Sequence, residues 1–218
     1  MTTETFRVGL EDGSEVEARR SGPKRAAWMV IFSPGAGSNI HDPFGTYLSR
    51  RLADEKIACV RFQFPYMEAR KGRPDRPAVL EATWRSVIEA VRWSRTKLCV
   101  GGRSMGGRIG SQVAAAGAEV DAISLFAYPL HPPGKPERLR DAHLKGLPTP
   151  TLFCSGDRDA FGSVDEMKTL TNAMPNGHHH VLAGADHGFS VRKSDGRTRE
   201  EVWEEATTTL VDWLRGLA

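Results

Sequence analysis

Short apolar runs alternate along the chain with longer stretches whose apolar positions recur every three or four residues, a pattern of strands alternating with amphipathic helices. Residues 6–10 and 15–18 flank Glu11-Asp12-Gly13-Ser14, where the Asp-Gly pair predicts a hairpin and so an antiparallel edge. Residues 26–32 are almost wholly apolar, which predicts a strand covered on both faces. They run into the glycine loop Ser33-Pro34-Gly35-Ala36-Gly37-Ser38-Asn39. Asp42 as N-cap and Pro43 at the first helical position open a helix with Phe44, Tyr47, Leu48 and Leu52 on one face. A strand at 57–62 precedes a loop over 63–76 rich in proline, glycine and arginine, after which Leu80, Trp84, Val87, Ile88 and Val91 predict a long helix.

The run from Lys97 to Gly101 reads as a buried strand that leads straight to Ser104, and residues 108–116 supply a helix behind it, with Gly107 and Gly110 allowing that helix to lie close to the sheet. Residues 122–127 and 151–155 predict two further buried strands, separated by the polar, proline-broken stretch 131–150. A helix over 164–173, a short strand around 180–182 and the loop 184–189 follow. The chain closes on a helix with Val202, Ala206, Leu210, Trp213 and Leu214 on one face. The alternation predicts the α/β class: a mostly parallel, doubly wound sheet flanked by helices, in one domain over residues 1–218. There is no internal repeat and no insertion long enough to form a cap domain.

Composition narrows the function more than the fold. A formal charge of +3, with acids interleaved among the lysines and arginines, gives no basic stripe for nucleic acid. The opening Met1-Thr2-Thr3-Glu4-Thr5 has no apolar signal core, and the longest apolar run is too short to span a bilayer, so no membrane partner is expected and the cytoplasm is the expected location. Cys59, Cys99 and Cys154 each sit inside an apolar run, as small core residues of a reduced protein would. Nothing in the pattern marks an interface that would fix an oligomeric state.

The candidate chemistry lies in the loops that follow strands, where doubly wound sheets gather their ligands. Gly102-x-Ser104-x-Gly106, with a strand before and a helix behind, has the form of a nucleophile elbow. A serine hydroxyl is a poor nucleophile at neutral pH and needs an imidazole to take its proton; the imidazole in turn needs an acceptor that fixes its tautomer. His187, late in the chain and after the last strand, is the candidate base. Ser155-Gly156-Asp157-Arg158-Asp159 offers two carboxylates: Asp159, deeper in the loop, is the candidate acid, and Asp157 is placed to cap or orient the turn. Asp186 is read as a turn residue. Oxyanion donors are expected from the backbone N–H groups of Met105 and Ala36, with Gly35 as the alternative in the glycine loop. That loop has neither the GxGxxG spacing nor the lysine of a phosphate-binding loop.

Other groups have a plainer reading. His178-His179-His180 cannot converge on one metal ion from a strand, because neighbouring side chains point to opposite faces. His131 suits the substrate side and a structural turn equally. Arg70, Lys71, Arg73 and Arg76 read as a solvated loop in preference to a patch that draws in an anionic substrate.

The segments Pro34-Gly35-Ala36-Gly37, Arg61-Phe62-Gln63-Phe64-Pro65-Tyr66, Gly102-Arg103-Ser104-Met105-Gly106-Gly107, Leu130-His131-Pro132-Pro133-Gly134-Lys135-Pro136, Gly156-Asp157-Arg158-Asp159 and Asp186-His187 together resemble the α/β-hydrolase family over nearly the whole chain. The resemblance is to its small lidless branch related to dienelactone hydrolases. Within that branch it is to hydrolase-like domains that include a testis-expressed protein and a subunit of a histone acetyltransferase complex. It implies Ser104, Asp159 and His187 as a triad, the acid being the last residue of a Gly-x-x-Asp run. Dienelactone hydrolases themselves use a cysteine where this chain has Ser104, so the resemblance implies the fold and the triad and not that activity. The resulting expectation is a serine hydrolase of small-molecule esters or thioesters that works through an acyl-enzyme without metal or organic cofactor. A binding or scaffold protein that kept the fold is the alternative, and a peptidase a minor one.

Overall fold

A computed structural model of the chain describes residues 3–217; Met1 and Thr2, part of the stretch read above for a signal segment, and Ala218 lie outside the described residues. The N-terminal hairpin is β1 (Glu4–Gly9) and β2 (Glu15–Ser21), closed by a turn in which Gly13 takes φ +80° and Asp12 Oδ1 accepts from the Ser14 N–H. That turn needs a positive φ, which a residue with a Cβ adopts at a cost. Six strands follow: β3 (Trp28–Ser33), β4 (Ala58–Phe62), β5 (Lys97–Arg103), β6 (Ala122–Phe126), β7 (Thr151–Gly156) and β8 (Gly177–Leu182). They form one eight-stranded sheet in the order β1-β2-β4-β3-β5-β6-β7-β8, antiparallel from β1 to β4 and parallel from there on.

The helices are α1 (Pro43–Asp54), α2 (Pro65–Glu68), α3 (Pro77–Val91), α4 (Met105–Ala115), α5 (Val164–Asn172) and α6 (Arg199–Gly216). Alternating strand residues feed two cores. Met29, Ile31, Val60 and Val100 face α3, α4 and α5, where they join Trp84, Ile109 and Met167. Val30, Phe32, Cys59, Cys99 and Cys154 face the opposite side with α1 and α6, where they join Phe44, Leu48, Leu210 and Leu214. Since both faces of the central strands are covered, their sequences are apolar runs without alternation. The three cysteines are buried and free. Burial pushes the Cys59 and Cys99 thiols up to about 12.

Four expectations change in detail. The strand around residues 180–182 extends back to Gly177, because β8 pairs with β7 along its whole length despite three successive histidines. The loop 63–76 contains the single-turn α2. The helix behind Ser104 starts at Met105, so the Gly106-Gly107 pair lies inside it. Gly107 does meet the sheet, a Cβ there falling 2.5 Å from the Gly102 carbonyl, but Gly110 faces α3, with a Cβ 3.0 Å from the Trp84 ring. Among the described residues no helix is long and apolar enough to cross a membrane.

Candidate active site

Ser104 stands between β5 and α4 with φ +50° and ψ −118°, a combination costly for a residue with a Cβ, held by its N–H donating to the Phe126 carbonyl at 2.9 Å. The crossing is tight enough to require glycine on either side. A Cβ on Gly102, at φ +154°, would lie 2.3 Å from the Ser33 carbonyl oxygen, and one on Gly106 would lie 2.4 Å from the same oxygen and 2.5 Å from that of Pro34. The Gly-x-Ser-x-Gly frame thus brings the start of α4 against the end of β3 and turns the serine side chain out of the sheet.

His187 reaches Ser104 from the loop after β8. Asp186 shapes that loop by accepting from the N–H groups of Gly188 and Ser190 at 2.7 and 2.9 Å, while the fully buried Phe189 anchors it against Phe44, ring centroids 5.2 Å apart. His187 Nε2 lies 2.9 Å from Ser104 Oγ, and Nδ1 lies 2.8 Å from Asp159 Oδ2. An ionised carboxylate only accepts, so Nδ1 carries the proton and Nε2 keeps its lone pair for the serine O–H. Asp159 is buried and also accepts from the Phe161 N–H at 2.8 Å. Asp157 Oδ1 accepts from the Gly184 N–H at 2.9 Å, which ties its turn to the loop after β8.

Of the expected donors Ala36 lines the space beside Ser104, whereas Met105 follows the serine directly and is not among the lining residues. Met105 is the first residue of α4, where an N–H has no intrahelical acceptor, and the Ala36 N–H likewise has no acceptor among the described residues. Gly35 sits against Ser104, a Cβ there lying 3.5 Å from Ser104 Cβ. Gly35, Ala36, Ser104 and His187 line a cavity of about 500 Å³. A larger cleft of about 940 Å³ lies among Arg20, Ala27, Trp93 and Thr96, where β3 and β5 begin, and holds none of these groups.

The sequence profile of an alpha/beta hydrolase domain matches residues 26–215. The chain belongs to that family. A serine hydrolase homologue of Coxiella burnetii shares the α/β-hydrolase fold at TM-score 0.77 and 23% identity, over 96% of this chain and 98% of that one. The esterase domain of a Rhodothermus marinus protein aligns over the whole of both chains at TM-score 0.74 and 18% identity. A serine hydrolase of Xanthomonas campestris described as lacking a lid aligns at TM-score 0.71 and 19% identity, over 98% and 95% of the two chains.

Not every expected site residue of this α/β-hydrolase domain reaches the cavity. His131 is buried, with its Nδ1 2.9 Å from the Pro132 carbonyl and its Nε2 3.4 Å from Glu166, and it does not line the space around Ser104. Arg70, Lys71, Arg73 and Arg76 do not line it either, whereas Arg103 and Arg199 do. The three histidines of β8 go separate ways: His178 to the edge of the Trp213 ring, His179 to Ser155 Oγ, and His180 to Glu205.

Three residues singled out for no role in the sequence shape the site. The Phe161 ring stacks on the His187 imidazole with centroids 4.0 Å apart. The Arg103 guanidinium donates to the His187 carbonyl at 3.1 Å and lies over Phe189, tying the two loops together. Tyr66 donates its hydroxyl to the Ala36 carbonyl at 2.8 Å, and burial, with Asp75 nearby, pushes the phenol's pKa up so that it keeps that proton. Only the place of Arg103, directly before the serine, was a usable sequence signal; the other two act across the fold.

Proposed function

We propose that this α/β-hydrolase domain is a serine hydrolase of carboxylic esters or thioesters, with Ser104 as nucleophile, His187 as base and Asp159 as the carboxylate that orients it. The observation that carries the reading is the unbroken series of contacts from Ser104 Oγ to His187 Nε2 at 2.9 Å and from His187 Nδ1 to Asp159 at 2.8 Å. In this reading Oγ attacks the carbonyl carbon as its proton passes to Nε2, and the negative charge that develops on the carbonyl oxygen falls to the N–H groups of Met105 and Ala36. The proton on Nε2 then goes to the leaving alcohol or thiol, which departs and leaves Ser104 acylated. A water molecule, deprotonated by the same nitrogen, hydrolyses the acyl-enzyme and restores the serine. No step calls on a metal ion or organic cofactor. The esterase domain and serine hydrolase among the structural relatives lend support at the level of the fold. Within the family we group the chain with the hydrolase-like domains named above, on the segments quoted for them, and the three free, buried cysteines suit a reducing, cytoplasmic setting.

A fluorophosphonate probe tests this directly. It is expected to label the wild-type protein at Ser104 and to leave Ser104→Ala unlabelled. Labelling that survives the substitution overturns the assignment. Folded wild-type protein that resists the probe and turns over no short-chain nitrophenyl ester would favour the scaffold alternative.

A further inference from the structure

Arg61, the penultimate residue of β4, is a cation buried without an anion among the described residues. It is only 6% exposed, and its position in the sheet sets it between Arg19 of β2 and Phe32 of β3. Nη1 donates to the Ile40 carbonyl at 2.7 Å and to Thr46 Oγ1 at 2.9 Å, while Nε is buried with no acceptor. The nearby acids are engaged elsewhere: Glu17 pairs with Arg19 at 2.6 Å, and Asp42 lies 3.7 Å from Arg103. Among the described residues Arg61 takes part in no ion pair. A guanidinium withdrawn from water with no opposite charge is costly to fold, and an anion from outside the chain relieves that cost.

The guanidinium borders a cavity of about 380 Å³, within the range of small-molecule sites. The walls include a second arginine, Arg50, the hydroxyls of Thr46 and Ser49, and the rings of Tyr47 and Trp203; among the described residues Arg50 has no ion pair and no carboxylate lines the cavity. Arg50 lies over the Tyr47 ring at 5.5 Å, and the Tyr47 and Trp203 centroids are 5.6 Å apart, so a wall of aromatic surface adjoins the two cations. A carboxylate would neutralise only one of the two arginines. A phosphate monoester carries a charge of about −1.5 to −2 at neutral pH and three acceptor oxygens, which matches both guanidiniums and the hydroxyls.

We propose that this cavity binds the phosphate group of a small phosphorylated molecule, with its oxygens on Arg61 and Arg50 and its carbon body against Tyr47 and Trp203. The site lies beside the Ser104 cavity, with which it shares Pro43 and Trp203, and it does not depend on the hydrolase reading.

Titration calorimetry at constant ionic strength with inorganic phosphate, phenyl phosphate and benzoate tests it. Phenyl phosphate is expected to saturate one site on the wild-type protein and to bind more tightly than inorganic phosphate, with benzoate weakest. Arg50→Ala is expected to weaken phenyl phosphate at least tenfold. Arg61→Lys, which keeps the buried charge but loses the planar fork, is expected to do the same, while Lys168→Ala on α5 binds as wild type. Absence of saturable binding to the wild type, an Arg50→Ala protein that binds as wild type, or benzoate as tight as phenyl phosphate would each overturn the proposal. Equal affinity for phenyl phosphate and inorganic phosphate would overturn the role given to Tyr47 and Trp203.

Discussion

Gly106→Ala tests the elbow by adding one methyl group where α4 crosses the end of β3. The new Cβ would meet the Ser33 carbonyl oxygen at 2.4 Å, the Pro34 oxygen at 2.5 Å and the Ser33 carbonyl carbon at 2.7 Å, against ordinary contacts of 3.4 Å or more. All three are backbone atoms, so no side chain can rotate aside. The helix start and residues 33–34 must separate by about 1 Å, and overpacking of this kind costs about 1–3 kcal/mol. Replacing a helical glycine returns at most about 1 kcal/mol, less in the first turn than in the interior. A net loss of about 2 kcal/mol is expected in guanidinium unfolding. The same displacement moves the loop bearing Gly35 and Ala36 relative to Ser104, and misplacement by about 1 Å lowers turnover about 100-fold. Ester hydrolysis and the rate of fluorophosphonate labelling should therefore both fall. Gly110→Ala is the control, since the atoms nearest its Cβ are those of the Trp84 ring, at 3.0 Å and beyond and none of them backbone, and the change in stability should stay within about 1 kcal/mol. If Gly106→Ala unfolds at the wild-type midpoint and labels at the wild-type rate, or if the two alanines cost the same, the tight crossing is not what holds the serine in place.

Two further substitutions separate roles that the sequence leaves side by side. Asp159→Asn keeps the shape of the side chain but replaces one carboxylate oxygen with an NH2 donor and removes the negative charge. With its Oδ1 held by the Phe161 N–H, the amide turns its NH2 to His187 Nδ1 and favours the wrong tautomer, so kcat for an ester substrate should fall by on the order of 10⁴-fold. Asp157→Asn, whose carboxylate holds the Gly184 turn, should lose less than about tenfold, and equal losses would contradict the assignment. His143 Nε2 lies 2.9 Å from Ser111 Oγ, and burial, aided by the nearby Arg108 charge, lowers its pKa from 6.5 to about 4. Between those values the unfolded chain binds a proton that the folded protein does not, so this contribution to stability is complete above about pH 6.5 and is lost as the pH falls toward 4. The full shift corresponds to about 3 kcal/mol, which partial exposure of the ring reduces to about 1–2 kcal/mol. His143→Gln should flatten the pH dependence of Tm over that window, and an unchanged slope would refute the attribution.

The strands were legible because burial on both faces leaves little freedom of composition: residues 28–33 of β3 and 58–62 of β4 are buried without exception. β8 was read short for the opposite reason. Its register with Thr151–Gly156 is fixed by backbone hydrogen bonds along the edge of the sheet, and His178, His179 and His180 find separate partners there instead of forming an apolar stripe. The single turn Pro65–Glu68 is too short for any helical period to register, and its proline reads equally well as a loop. Gly106 and Gly107 ordinarily argue against a helix. Here they lie inside one because contacts with β3 and Gly102 leave no room for a Cβ, a tertiary demand that overrides local preference.

Around the site the division is between residues joined by chain order and residues joined only by the fold. Serine, acid and histidine each follow a strand, so their meeting could be argued from position. Distance along the chain gave no such help with the walls: Tyr66 comes to the Ala36 carbonyl from a turn after β4, and Phe161 comes to the His187 ring from the loop after β7. The cations show the same division. Four basic residues clustered at 70–76 drew attention by their density, yet they do not line the Ser104 cavity, while Arg103 and Arg199 reach it singly from β5 and α6. Arg61 is further removed still, an arginine within an apolar strand whose lack of an acidic partner is visible only once Glu17 and Asp42 are seen engaged with other arginines. Charge density at 70–76 thus marks solvated surface, whereas it is the isolated charge in an apolar run, once its neighbours are accounted for, that motivates the proposed phosphate site.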